Sequence, residues 1–217
     1  GSEMCIRDRS LDAPVFTLTH AMGFKGVLGG EYNFNRTEAS IWKRFWLPAS
    51  WGKIDCSVKA GAEWNTVPFP LLILPEANLS YITQRETFCL INNMEFLNDR
   101  FASMSISYDM NGKLFNRIPL LKNLKWREMF RVRALWGTLT DKNNPFKSSN
   151  PDLFRFPTRD GKFTSFVMDP KVPYVEASVG IYNIFKLLHV EYVHRFTYRD
   201  NPGINKNGIR FMVLMVF

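Results

Sequence analysis

Apolar and polar residues alternate over long stretches of the chain, and this alternation is its most regular feature. It is clearest in residues 53–64, 100–111, 173–182 and 187–199. A period of two places the apolar side chains on one face of a β-strand and the polar ones on the other. Segments of about 9–13 residues exceed the usual globular strand of about 5–6 residues and suit a tilted strand that crosses a membrane.

Four further segments alternate less regularly and are also predicted to be strands. They are residues 15–23, 31–47, 86–96 and 126–138. The pattern of 31–47 changes phase between Arg36 and Ala39, which predicts a β-bulge or two separate elements. Together with the end of the chain, these segments give about eight or nine strands and almost no helical periodicity.

The end of the chain is an apolar run that stops on an aromatic residue. Ile209, Phe211, Val213, Met215 and Phe217 fall on one face at a period of two. Termini of soluble proteins are usually frayed and polar, whereas a last strand that ends in Phe is typical of outer-membrane β-barrels. We therefore expect Phe211, Val213, Met215 and Phe217 to face lipid and to form the strand that the barrel-assembly machinery reads.

These patterns predict an all-β protein, the C-terminal portion of an antiparallel up-and-down transmembrane β-barrel. A soluble β-sandwich also alternates apolar and polar residues and stays open as an alternative. The length of the strands and the charges on their polar faces favour the barrel. Because lipid does not tolerate unpaired strand edges and nine strands would be an unusual closed set, we expect an incompletely closed barrel that an upstream part of the chain completes.

The composition adds a second hypothesis. Aromatic residues make up 15% of the chain, which suits aromatic girdles, and the longest apolar stretch, around residues 68–75, is far shorter than the roughly 20 residues of a spanning helix. The formal net charge is +8. A soluble basic β-rich module that binds polysaccharide or nucleic acid is therefore the alternative function, although no nucleic-acid partner is expected for the barrel itself.

The first ten residues differ from the rest. Residues 1–10 read GSEMCIRDRS and resemble a translated adapter remnant, so we expect them to be non-native. Residues 11–217 are then expected to be the C-terminal part of a longer protein of the bacterial outer membrane, with outer-membrane lipid around it.

With nine strands, one of the long connectors falls on the side of the barrel where short turns are expected. Residues 65–84 and 141–171 are long, whereas 97–99 and 183–186 are tight turns. Outer-membrane barrels have short periplasmic turns and long extracellular loops. With Phe217 on the periplasmic side, nine strands place 141–171 outside but 65–84 on the periplasmic side. Either the strand count is wrong by one, or residues 65–84 fold into the lumen.

Charged residues on the polar faces of the predicted strands are the candidate functional set. They are expected either to form an ion-paired network that stiffens the lumen or to line a pore that prefers anions. The network is favoured, because both signs are present and buried charges must pair. The set consists of Arg131, Arg133, Glu176, Glu191, Arg195 and Arg199.

No motif in the chain indicates catalysis, and we expect a non-enzymatic protein without a cofactor. His189, Glu191 and His194 suggest a metal site at first sight, but on a strand His194 points away from the other two. The three cysteines match no zinc or redox spacing. The predicted role is in envelope transport, protein assembly or surface interaction, and no metal is expected.

Five blocks, in order, resemble the C-terminal barrel of a large Bacteroidetes outer-membrane family of unknown function. They are residues 74–81, 93–100, 115–121, 174–184 and 198–204. The resemblance runs from about residue 14 to the end of the chain, with Ala77 where the family pattern has Gly. It implies a membrane barrel, which members of that family usually carry behind a carboxypeptidase-regulatory-like domain.

The end of the chain is also distantly similar to the Omp85 and surface-antigen barrel group. Val179, Gly180 and Ile181, followed by the last two strands, carry this similarity. The chain lacks the Arg-Gly-Phe/Tyr loop motif of that group. Insertase activity is therefore only an analogy, since a fold does not determine a function.

Overall fold

A computed structural model of the chain contains one large antiparallel β-sheet of eight strands. The structure describes residues 13–27, 29–78, 80–82, 86–147, 153, 156, 158–159 and 161–213. The expected remnant at residues 1–10 lies outside the described residues.

The strands pair with their sequence neighbours in up-and-down order. The sheet consists of β1 (Val15–Gly23), β2 (Phe34–Trp46), β3 (Lys53–Glu63), β4 (Arg100–Asp109), β5 (Arg127–Thr138), β8 (Tyr174–Ile184), β9 (Leu188–Arg195) and β10 (Asn207–Val213). A separate hairpin is formed by β6 (Thr158–Arg159) and β7 (Lys162–Phe163). The short helix α1 spans Pro119–Leu124, and 3-10 turns lie at Pro48–Ser50, Phe69–Leu71 and Phe115–Arg117.

The all-β class and the antiparallel up-and-down order expected from the sequence are confirmed. The sheet is not closed, because β1 and β10 stand at its two edges and do not pair with each other over the described residues. The edge of β10 is contacted by residues 80–82 instead, where the Phe211 amide donates to the Tyr81 carbonyl at 2.7 Å.

Two predictions about individual segments were wrong. Residues 86–96 are not a strand of the sheet but part of a connector in which Phe88 and Phe96 form isolated bridges to other connector residues. Their apolar side chains fill the interior of the protein and do not cover a face of the sheet. The bulge expected between Arg36 and Ala39 is also absent, since β2 pairs in continuous register with both of its neighbours. A register shift occurs instead between β8 and β9, at Ile181 to Ile184.

Removing one strand from the count places the two longest connectors, 64–99 and 139–173, at the same end of the sheet. Residues 24–33, 64–99, 139–173 and 196–206 join strands at this long-connector end. Residues 47–52, 110–126 and 185–187 join strands at the opposite, short-turn end. The expected position of residues 65–84 on the periplasmic side thus came from counting residues 86–96 as a strand.

The described residues of the 64–99 connector also fold against the sheet, and we call this connector the plug. Phe96 of the plug is 0% exposed and packs against Tyr174 and Tyr198, with ring centroids 5.9 and 5.1 Å apart. Gly137 of β5 permits close packing, since a Cβ at this position would overlap the side-chain amide of Asn98. The buried core therefore lies between the plug and the sheet, toward the long-connector end.

Candidate functional site

The two faces of the sheet differ in burial and in chemistry. Along β5, β8 and β9, the polar or charged residues of each alternating pattern are buried and the apolar ones are largely half-buried or exposed. We call the face that meets the plug the inner face and the opposite one the outer face. This arrangement reverses the usual one, in which the apolar face of a sheet is packed inside and the polar face is solvated.

Glu191 is the centre of one buried ion-pair cluster on the inner face. Arg131 Nη1 donates to both of its carboxylate oxygens at 3.1 and 3.2 Å. The Ser178 hydroxyl donates to Oε1 at 2.5 Å, and His189 Nε2 lies 3.2 Å from Oε2. Three neighbouring strands, β5, β8 and β9, supply these groups, so the in-register pairing of the sheet assembles the cluster.

Glu176 holds the plug to the sheet. Its carboxylate accepts hydrogen bonds from the backbone amides of Cys89 and Leu90 at 2.9 and 3.1 Å, and from the Tyr174 hydroxyl at 2.9 Å. Arg133 Nη1 completes the ion pair at 2.9 Å. The Nε and Nη2 atoms of this buried arginine find no partner within the described part of the chain. A carboxylate that accepts two backbone N–H bonds fixes the position of the segment that donates them.

Arg195 makes the second attachment of the plug. Its Nη1 and Nη2 atoms bind the Glu95 carboxylate at 3.0 and 2.6 Å, and both residues are almost fully buried. Nη1 also donates to the Leu90 carbonyl at 3.2 Å, and Asn201 Nδ2 donates to Glu95 at 2.9 Å. The bidentate geometry makes this the most completely paired of the three buried arginines of the candidate set.

Cys89 is enclosed by the same contacts. Arg133 Nη1 lies 3.3 Å from its Sγ, and Arg210 of β10 donates to its backbone carbonyl. Burial raises the pKa of the Cys89 thiol above its ordinary value, although the Arg133 charge opposes the shift. The thiol is therefore held in its protonated, unreactive form at neutral pH.

A second group of charges lines the inner face of β2, β3 and β4. Arg44 binds Asp55 in a bidentate pair at 2.6 and 2.9 Å. Further ion pairs join Lys59 to Glu38 and Glu76, and Lys53 to Asp109. All of these residues except Glu38 border a cavity of about 640 Å³, together with Ser103, Ser105 and Ser107 of β4. The cavity extends from the plug, at Phe88, to Tyr182 near the short-turn end.

The structure brings five of the six predicted network residues together on the inner face, namely Arg131, Arg133, Glu176, Glu191 and Arg195. Arg199 lies apart from them, because it is in the exposed turn after β9, where the alternation of the strand has ended. Sequence reasoning missed Glu95 and Arg210. Glu95 was hidden in a segment taken for a strand, whereas the alternation of β10 does place Arg210 opposite Ile209 and Phe211.

The outer face is covered by rows of apolar side chains that pair directly across the sheet. One row consists of Phe45, Ile54, Tyr108, Phe130, Val179, Tyr192 and Ile209. A second row consists of Phe16, Ile41, Val58, Met104, Ala134 and Val175. Val179, in the middle of β8, is 50% exposed. An apolar surface that crosses six or seven strands is far larger than the patches of ordinary monomeric soluble proteins.

Aromatic residues mark both ends of the outer face. Trp64, Trp136 and Phe196 lie at the long-connector end and are exposed. Phe45, Trp51, Tyr108 and Phe130 lie toward the short-turn end. The ammonium of Lys43, a charged residue on the outer face, lies 4.9 Å from the centroid of the Phe45 ring.

The predicted C-terminal strand is present as β10. Phe211 and Val213 lie on its outer face and are exposed. Met215 and Phe217 lie outside the described residues.

The histidines do not converge on a metal site. His189 faces inward beside Glu191, whereas His194 lies on the outer face, where its ring nitrogen contacts Asn207 at 2.5 Å and its ring packs against Phe196. Across the described ranges, no group of three or more His, Cys, Asp or Glu side chains is arranged to hold a metal ion.

The helices of the described residues are all too short or too polar to span a membrane.

Residues 6–146 match the model of the C-terminal domain of DUF5686, a family of unknown function. The expected relationship to a family of unknown function is thereby confirmed, and the blocks at 174–184 and 198–204 lie beyond the matched range. No curated protein matches the chain.

Proposed function

The chain belongs to the DUF5686 C-terminal domain family, and from this premise and the geometry of the two faces we propose that it is the C-terminal part of an outer-membrane β-barrel. Its role in this proposal is non-enzymatic, in envelope transport, protein assembly or surface interaction. The Bacteroidetes and Omp85 relationships belong to the same proposal and rest on the sequence blocks alone.

The observation that carries the proposal is the reversal of the two faces. The outer face exposes apolar side chains such as Leu18, Val179 and Val213, while the inner face buries charges such as Arg133 and Glu191. Water around the outer face would make this arrangement unfavourable, since each exposed apolar side chain forgoes about 1.5–3 kcal/mol of burial. Lipid around the same face removes the penalty. The alternation apolar-out and polar-in is the pattern of a membrane barrel.

The aromatic residues at the two ends support the same reading. Membrane barrels carry an apolar band flanked by aromatic girdles at the two interfaces. Trp64 and Trp136 occupy one border of the outer face, and Trp51 and Tyr108 occupy the other. The amphipathic rings of Trp and Tyr suit the headgroup region, where one side of the ring is apolar and the other is wet.

The open edges indicate which partner the domain needs. Strand edges that face lipid leave backbone N–H and C=O groups unpaired, so spanning strands must close into a barrel. We propose that, in the membrane, strands from an upstream part of the same protein pair with β1 and with the part of the β10 edge that residues 80–82 leave uncovered, and so close the barrel. The assembly machinery that reads a C-terminal strand is the further partner, with Phe211 and Val213 on the surface presented to it.

The plug sets a limit on transport. Glu176, Glu95 and Arg195 tie residues 64–99 across the inner face by buried, charge-assisted bonds. Between an ion-paired network and a pore lining that prefers anions, these contacts favour the network, since Glu176 and Glu95 are each paired with a buried arginine and bind the plug or belong to it. Passage of a solute would require the plug to move.

The proposal is tested by refolding the 217-residue chain with and without detergent micelles, while recording far-UV circular dichroism and light scattering. We expect a β spectrum and a monodisperse particle only with detergent, because the outer face needs an apolar environment. A monodisperse β protein in plain buffer would overturn the proposal. It would favour the soluble polysaccharide- or nucleic-acid-binding module, whose binding should then weaken steeply with salt.

A further inference from the structure

The two ends of the sheet differ in charge. The four connectors at the long-connector end contain ten acidic and ten basic residues. The three connectors at the short-turn end contain five basic residues and no acidic one, and these are Lys113, Arg117, Lys122, Lys125 and Lys186. A cationic surface at one end of a protein concentrates anionic partners there.

The same short-turn end exposes apolar side chains between its cations. In residues 110–126, Leu120 is 76% exposed, and Leu114, Ile118 and Leu124 are exposed as well. Phe185, in the turn between β8 and β9, is 82% exposed. Exposed Leu, Ile and Phe interleaved with Lys and Arg is the composition of segments that lie in a membrane interface. We call residues 110–126 together with 185–187 the basic rim.

The basic rim is held to the strands by defined contacts, so its backbone is presented in a fixed place. Lys113 Nζ donates to the Ala49 carbonyl at 2.9 Å and lies 5.1 Å from the Trp51 ring centroid. Asn183 Nδ2 donates to the Lys125 carbonyl at 2.7 Å. The Phe115 amide donates to Glu128 of β5 at 2.6 Å. These bonds tie the β4–β5 connector to the turn after β2, to the start of β5 and to the end of β8.

The rim also continues the outer face. Trp51 and Tyr108 border the apolar rows, and the Tyr108 hydroxyl donates to the Trp51 carbonyl at 3.1 Å. Beyond this aromatic border come the Leu, Ile, Lys and Arg side chains of the rim. The succession from apolar rows through an aromatic border to a cationic, amphipathic segment matches the succession from hydrocarbon through interface to headgroup layer.

We propose that the basic rim binds the anionic phospholipid headgroups of the membrane leaflet at the short-turn end. The inference rests on the proposed membrane location and adds the class of lipid that the protein selects. Lys and Arg near an anionic headgroup layer attract it strongly within a Debye length, which is about 8 Å at physiological ionic strength. The exposed Leu and Ile side chains anchor the segment at that depth.

The test compares retention of phosphatidylglycerol and phosphatidylcholine with the same acyl chains. The chain is folded in a zwitterionic detergent, each lipid is titrated in, and native mass spectrometry counts the lipids retained. We expect phosphatidylglycerol to be retained in preference. A variant with Lys113, Arg117, Lys122 and Lys125 all replaced by Gln should lose about tenfold or more of that preference. The matched control replaces four exposed cations of the long-connector end, Lys25, Lys171, Arg199 and Lys206, and should keep it.

The outcomes separate this inference from the proposed function. Equal retention of the two lipids, or an unchanged preference in the rim variant, would overturn the inference while the detergent-dependent fold still supported the barrel. The basic rim would then suit an acidic protein surface instead. A chain that is monodisperse without detergent would overturn the membrane location itself. In that case, a chain that does not sediment with phosphatidylglycerol vesicles would also overturn the binding of anionic lipid by the basic rim.

Discussion

At the scale of single residues, the interior is organised by a few charged side chains that do two tasks at once. Glu176 and Glu95 neutralise Arg133 and Arg195, and they also bind the plug or belong to it. Removing one member of a buried pair leaves the other charge uncompensated, which costs far more than the loss of an exposed pair. How deeply an ion pair is buried, and not how many pairs there are, therefore decides how much its loss destabilises the protein.

Glu95→Gln tests this argument. It keeps the shape of the side chain but leaves Arg195 without its counter-charge, so we expect the free energy of unfolding to fall by about 3 kcal/mol. Urea unfolding of the detergent-folded protein, followed by circular dichroism, gives the value. The matched control is Asp141→Asn, which removes an exposed ion pair with Lys147 and should cost at most about 1 kcal/mol. Equal effects in the two variants would contradict the importance of burial.

Cys89 provides a second test at this scale, because burial raises its pKa. In a Cys5→Ser/Cys56→Ser variant, the remaining thiol should react with a disulfide reagent far more slowly in the folded protein than in urea at pH 8. The folded state binds this proton more tightly than the unfolded state does. The contribution of this group to stability is therefore present at neutral pH and is lost as the pH rises above the ordinary thiol value of about 8.5. Equal labelling rates in the two states would show that Cys89 is accessible.

At the scale of elements, the main feature is that the plug covers part of the inner face of the sheet. Its aromatic and aliphatic side chains fill the inner face toward the long-connector end, where Phe88, Ile91 and Phe96 pack against Leu135 and Tyr174. The short helix and the tight turns lie at the other end and contribute little to this core. The plug is thus held both by buried charge pairs and by an apolar cluster of its own.

Phe96→Ala measures the apolar part of this attachment. Because Phe96 is fully buried, truncation should lower the free energy of unfolding by about 3–5 kcal/mol. Phe24→Ala, in the exposed turn between β1 and β2, is the control and should change it by no more than about 0.5 kcal/mol. A small effect of Phe96→Ala would mean that the plug can leave the sheet without unfolding it.

At the scale of the whole molecule, the solvent around the outer face decides what a substitution there does. A charge in the middle of a lipid-facing strand must be placed in hydrocarbon, whereas a charge at the border reaches the interface. In water, both positions are simply exposed, and both substitutions cost little. The depth dependence therefore reports on the environment directly.

Val179→Arg and Phe196→Arg use this difference. The two residues are similarly exposed, at 50% and 55%, but Val179 is central in β8 and Phe196 follows the end of β9. In lipid vesicles, we expect Val179→Arg to cost about 2–4 kcal/mol of folding free energy and Phe196→Arg about 0–1 kcal/mol. Similar small costs for both would contradict a lipid-facing outer surface.

Much of the sheet could be derived from the sequence by itself. The alternation at a period of two depends only on which side chains each strand presents to its two sides, so it predicted the all-β class and the opposite faces of residues such as Glu191 and Tyr192. It also predicted the inward direction of Arg131, Arg133 and Glu176. These are local properties, because neighbouring residues along a strand must point in opposite directions.

Only the tertiary structure decided what the inner face contacts. Residues 86–96 alternate like a strand, yet they lie in the plug. Their apolar side chains are buried between the plug and the sheet, which removes more apolar surface from water than a position at a sheet edge would. The partners of Arg195 and Glu176 lie about a hundred residues away in the chain or in a segment without regular structure. No local pattern encodes such contacts, since they depend on how a connector folds back over the sheet.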